Sequence, residues 1–241
     1  KLMTRPVRLG MAGVYLAYHD ANLTVESVSA ERFGAFVGAG QAFADRSELE
    51  AALDRSRGAD DAFDIVKFGQ EGMGVIHPLW LLRGLSNNVL GFASLEYNIQ
   101  GINNNYCNSG VSGMQAIGAG IHAIREGYAD VVVAGGYDSI LGVEGMLGYG
   151  RLGLLSSTGA HRPFGAERSG LVPAEGACFL LLEEAEHARE RGAKTYARAL
   201  GAGVASGAFG VTDPEPGGAK LRLAAKEALR DSMVSADSIE T

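Results

Sequence analysis

The sequence predicts an α/β protein in which a largely parallel sheet is covered by helices. Short runs that are apolar on both faces, such as "RFGAFVGAG" and "ADVVVAGG", read as fully buried strands. Segments with apolar residues at helical spacing alternate with them. The 35 glycines, about twice the usual share, fall at the ends of apolar runs, where tight turns or close backbone approach need them.

The elements follow in order. Arg5 to Asp20 is a helix, with Met11, Val14, Tyr15 and Tyr18 expected to face inward. "RFGAFVGAG" is a buried strand ending in a glycine turn, and Asp60 to Gly84 mixes loop with short helix. A helix is expected from Ser86 to the Gln100–Gly101 boundary, with Ser86 or Asn87 as its cap. Gly101 to Gly110 leads into a helix from Ser112 to about Glu126, carrying Ile117, Ile121 and Ile124 on one face and Gly127 as C-cap. "ADVVVAGG" is the next buried strand, followed by an irregular stretch to Gly159. "GACFLLLEEAEHARERGA" reads as a strand running into a helix, and "YARALGAGVAS" as a further strand. Gly218 to about Met233 is an amphipathic helix after the loop "TDPEPGG". No linker composition or repeat divides the chain, so residues 1–241 read as a single domain.

Composition narrows the function classes. A chain of 241 residues, 46% hydrophobic and 20% charged, can bury a sizeable core. Its net charge of -7 is spread along the sequence and there is no basic run, which argues against a nucleic-acid partner. The longest apolar runs are too short to cross a bilayer and no signal core follows a charged leader, so no membrane association and a cytoplasmic location are expected. Cys107 and Cys178 form neither a disulfide framework nor metal-ligand spacing, and the five histidines are scattered, so no metal site is expected. His122 and His187 read as solvated, and "EEAEHARERGAK" as an exposed helix face on which Glu186 can pair with Arg189. "GAGQAF", Gly38 to Phe43, starts like a dinucleotide fingerprint, but Phe43 stands where a third small residue is needed; a tight turn is the better reading. Trp80 reads as a core anchor in preference to a pocket wall.

From Gly101 onward the chain resembles the ketoacyl synthase family, the condensing enzymes of fatty-acid and polyketide assembly. "SGMQAIGAGIHAIREGYADVVVAGGYDS", "HRPFGAERSGLVPAEGACFLLLEEAEHARERGAK", "YARALGAGVAS" and "DPEPGGAKLRLAAKEALRDSM" carry the resemblance, in the family's order and spacing. It implies a thiolase-like layered αβαβα fold. Here that fold would lack its first strand, before Lys1, and most of its second half, where the family's catalytic histidines and a lysine would follow Thr241.

Family members place a catalytic cysteine at the start of the long helix, three residues before the glycine that here is Gly113. A helix N-terminus stabilises both a thiolate and an oxyanion, which is why the chemistry belongs there. The matching residue is Gly110, and counting forward from Gly101 gives the same register. Cys107 then falls three positions earlier, as a packed strand residue near the family's dimer two-fold.

Glycine offers no nucleophile, and Ser109 and Ser112 show no base in the sequence. The resemblance therefore points most closely to a chain-length factor, a non-catalytic subunit that pairs with a cysteine-containing ketosynthase and shapes its acyl tunnel. Candidates for tunnel wall or interface are Trp80, Leu81, Asn87, Leu90, Tyr106 and Cys107. Substrates would ride on the phosphopantetheine of an acyl carrier protein, with no separate cofactor. The competing expectation is an active ketosynthase acylated on Cys107.

Overall fold

The computed structural model describes residues 2–40 and 47–240. In chain order the elements are α1 (Arg5–Asp20), β1 (Phe33–Ala39), α2 (Ser47–Arg55), the short α3 (Ile65–Lys67) and α4 (Trp80–Arg83), α5 (Asn88–Glu96), β2 (Asn103–Tyr106), α6 (Ser112–Arg125), β3 (Val131–Ser139), α7 (Val143–Arg151), β4 (Glu175–Glu183), α8 (Ala185–Glu190) and α9 (Ala219–Ser232).

The strands form one sheet in the order β2-β1-β3-β4. β2, β1 and β3 are parallel, and β4 runs antiparallel to β3. The sheet is thus mixed, its parallel part being the expected one. β1 is buried along its whole length, as "RFGAFVGAG" implies, and Val131 to Gly135 of β3 are buried too. Side chains that point to both faces must meet a helix layer on each.

One face carries α1 and α5. Val7, Val14 and Tyr18 of α1 and Val89 and Ala93 of α5 close over Phe33, Ala35, Val37, Val131 and Val133. Tyr15, expected inward, is 52% exposed; its ring lies against His19, tilted by 48°, along the outer side of α1. The other face carries α6, where Ala116 and Ala123 pack with Phe36, Val132 and Ala134. Ile117 and Ile124 flank that seam, while the smallest residues form its centre and let the helix lie close to the sheet. Gly127, at φ 75°, follows the helix in the left-handed conformation of a C-cap glycine.

Beyond α6 lies an outer layer made of residues 196–206 and α9. Residues 196–206 are not a strand, contrary to expectation. A strand needs a ladder partner for its N–H and C=O groups, and among the described residues the sheet runs no further than β2 and β4. Tertiary ties hold the segment instead. Arg125 donates to the Leu200 carbonyl at 2.7 Å, and the Ala202 N–H donates to Asp231 of α9 at 2.9 Å. The helix expected from Ser86 to Gln100 is shorter, Asn88–Glu96; Asn87 sits at the N-cap without a side-chain cap, and Asn98 at φ 52° turns the chain toward β2. Trp80 is half-buried in α4 and does not join the core clusters.

Candidate functional site at the entrance of helix α6

The site is set by three glycines that bring backbone against backbone. A Cβ on Gly38, at the end of β1, would lie 2.3 Å from the Gly113 nitrogen, and one on Gly136 would lie 2.9 Å from the Gly113 Cα. The first turn of α6 is thereby pressed onto the carboxyl ends of β1 and β3, where ligands of parallel α/β sheets gather. Gly38 is thus needed for this approach. Gln41 to Phe43 of the fingerprint-like "GAGQAF" lie outside the described residues.

The turn into the helix is tied by side chains. Ser109 occupies the left-handed region at φ 56°. Ser112, nearly fully buried, donates its hydroxyl to the Ser109 carbonyl at 2.8 Å and accepts the Asn108 N–H at 2.7 Å. The Asn108 amide donates to Gln115 Oε1 at 2.6 Å. With its oxygen in two hydrogen bonds, Ser112 serves the turn.

Gly110 sits within this turn, exposed. Its φ is not in the left-handed region, and a Cβ there would meet nothing within 4 Å. Neither packing nor backbone conformation demands a glycine at 110. A side chain there would stand in open space beside the helix N-terminus, where free N–H groups favour negative charge.

Cys107 falls just outside the expected strand. β2 ends at Tyr106, paired with Gly38 one residue before the end of β1, so Cys107 lies one residue past the strand and is exposed. Its sulfur takes a hydrogen bond from Asn105 Nδ2 at 3.2 Å, and the same amide reaches Ser86 Oγ at 3.3 Å, just before α5. Tyr106 points to the opposite side and packs with the Phe36 cluster against α6. Alternation along β2 thus sends the thiol to the α5 face, away from the helix entrance. Tyr137 stands on that face too. Its hydroxyl donates to the Ser86 carbonyl at 2.8 Å, and burial pushes its pKa up to about 12.

The remaining candidates do not converge within the chain. Leu90 packs against the core below α1. Asn87 is exposed ahead of α5, and Leu81 is 69% exposed beside Trp80 on α4. Tyr106 opens onto a cleft of about 530 Å³ between α6 and the outer layer, lined also by Gln115, His122, Val204, Arg230 and Asp231. Among the described residues no group of His, Cys, Asp or Glu is arranged to hold a metal ion, and no helix is long and apolar enough to cross a membrane.

His122 remains partly exposed, as expected, and faces Asp231 at 3.6 Å. Glu186 and Arg189 do pair. His187 is not solvated, however, and the run Glu183 to Lys194 is not a plain exposed face. Glu183, His187 and Arg191, at four-residue spacing, turn one side of it inward.

A mixed sheet between two helix layers, with a helix entrance locked to the strand ends, defines the thiolase-like α/β class. The chain belongs to the beta-ketoacyl synthase family: residues 1–188 match its N-terminal domain. It is 33% identical over 175 residues to a putative mitochondrial 3-oxoacyl-[acyl-carrier-protein] synthase of Schizosaccharomyces pombe, covering 70% of this chain and 41% of the relative. It is 29% identical over 240 residues to 3-oxoacyl-[acyl-carrier-protein] synthase 2 of Vibrio cholerae, covering 97% and 54%. The chain therefore spans about half the length of the curated relatives it matches.

Among solved structures it resembles a chain from the complex of a type II polyketide synthase acyl-carrier protein with its ketosynthase bound to the hexaketide. The TM-score is 0.84 at 26% identity, over 99% of this chain and 58% of the other. A beta-ketoacyl synthase from Burkholderia phymatum gives 0.80 at 27%, over 99% and 56%. The ishigamide ketosynthase/chain length factor gives 0.80 at 23%, over 99% and 55%, a likeness of fold.

Proposed function

We propose that this chain is a chain-length-factor-like member of the family, a non-catalytic ketosynthase homologue. It would pair with a cysteine-containing ketosynthase and shape the tunnel holding the growing acyl chain. The observation that carries the reading is the glycine at the helix entrance, in open space that would accept a side chain, with Cys107 turned to the other face of the sheet. A nucleophile needs the helix N–H groups and a base; among the described residues the Cys107 sulfur meets the Asn105 amide, which is neither.

A partner is supported by the apolar side chains left on the surface of residues 63–85, including Phe63, Ile65, Val66, Leu79 and Leu81. By analogy with the solved ketosynthase complex, substrates would arrive on acyl-carrier-protein phosphopantetheine and no separate cofactor would be needed; a cytoplasmic setting is part of the same proposal. Trp80, Leu81, Asn87, Leu90, Tyr106 and Cys107 are the proposed wall or interface residues. Co-expression with a cysteine-containing homologue should yield a co-purifying pair, and Trp80→Ala or Leu90→Ala in that pair should change product length. Recovery of a stable homodimer alone would count against the role.

The second reading is an active synthase performing decarboxylative condensation, favoured by the names of the sequence relatives. Intact-mass measurement after incubation with acyl-loaded carrier protein separates the two, because an acyl adduct on Cys107 would overturn the first.

A further inference from the structure

The end of β4 is tied to the loop after α1 by a knot of charged groups remote from the helix entrance. The Glu183 side chain is only 9% exposed. Arg191 donates to both its oxygens, each at 2.6 Å, and also to the Ala21 carbonyl at 3.0 Å. His187 places Nδ1 2.5 Å from Glu183 Oε1 and Nε2 2.9 Å from the Ser27 carbonyl oxygen. Both partners are acceptors without a hydrogen. A neutral imidazole carries one N–H, so it can satisfy one contact while setting two lone pairs against each other at the other.

We propose that His187 is an imidazolium in the folded chain and acts as a pH-sensitive latch, holding the loop after α1 onto the end of β4 and loosening when the ring loses a proton. The charged groups facing it support the assignment. Glu183 comes from its own turn, Arg191 from beyond α8, and Asp130, paired with Arg32, from the start of β3, while the Glu184 carboxylate caps the backbone N–H groups of Glu186 and His187. Burial pushes the Glu183 carboxyl up, but the hydrogen bonds from Arg191 and His187 outweigh it and hold the group below its usual range, so the acceptor stays ionised.

The test is nitrogen-15 NMR of the histidine rings in the whole chain, with amide hydrogen exchange read for residues 21–28. At about pH 6 both ring nitrogens of His187 should carry protons. Protection of residues 21–28, corrected for intrinsic exchange, should fall roughly fivefold as pH rises through the imidazole range, because neutral imidazole gives up one of the two ties. His187→Gln keeps a donor that does not titrate and should abolish that pH response. A ring with a single proton throughout, or the same response in His187→Gln, would overturn the latch. If that variant does not fold, the ring spectra of the unaltered chain decide alone.

Discussion

Helix α6 is covered differently on its two sides. Toward the sheet, Ala116, Gly120 and Ala123 meet Phe36, Val132 and Ala134, and a Cβ on Gly120 would stand 3.0 Å from Val132 and Leu182. Toward the outer layer, Gly118 approaches Ala202, and beyond that the contact is carried by Arg125 and Asp231 around an open cleft. Close apolar packing fixes the helix to the sheet; a few polar ties fix the outer layer to the helix. Added volume should therefore be costly on the first side, and lost hydrogen bonds should be felt on the second.

The largest expected effect breaks the inner contact. Gly38→Val forces a side chain against the Gly113 backbone and should cost about 3 kcal/mol in denaturant unfolding. An unchanged midpoint would mean that the glycine interlock does not hold the helix. Next, Asp231→Ala removes the Arg125 pair and the acceptor of the Ala202 N–H, and should cost about 1 kcal/mol. Hydrogen exchange should rise in α9 and residues 200–204 while β1 and β3 keep their protection; a uniform rise would erase the distinction between the two sides.

Acid provides a third, milder probe. The Arg32 hydrogen bond holds the Asp130 carboxyl below its usual range, and Glu183 is depressed as well. Their folded-state values lie below the unfolded ones, so their contribution is present above the ordinary carboxylate range and lost as pH falls below about 4. Asp130→Asn and Glu183→Gln should flatten that part of the stability profile. The smallest effect is expected at Gly110, where Gly110→Ala should stay within about 0.5 kcal/mol. Gly110→Cys should fold equally well and be alkylated faster than Cys107, since the introduced thiol stands at a helix N-terminus.

Much of this was legible in the sequence because local pattern and burial agree. β1 and β3 are apolar on both faces and had to lie between layers; the helix α6 was legible too, but its face was read from Ile117, Ile121 and Ile124, whereas Ala116, Gly120 and Ala123 form the centre of the contact. Residues 196–206 look like a strand because their composition is strand-like, but pairing is a property of the neighbour, which composition does not record. The surroundings of Cys107 depend on where β2 stops pairing with β1, at Tyr106, and on the Asn105 amide that reaches the thiol; neither is a local pattern. Glu183, His187 and Arg191 looked solvated because charges at four-residue spacing suit an exposed helix face; here the same spacing aligns them on one acceptor. Gly110 was found by register, and its open surroundings became visible only in three dimensions.

The glycine interlock has a consequence for how such proteins diverge. Because Gly38, Gly113 and Gly136 locate the helix through backbone contact, the turn at Gly110 is positioned without help from the side chain it carries. Reactivity at that point is then separable from folding. One codon can remove or restore a thiol while the scaffold, and any surface it shares with a partner, stays as it was.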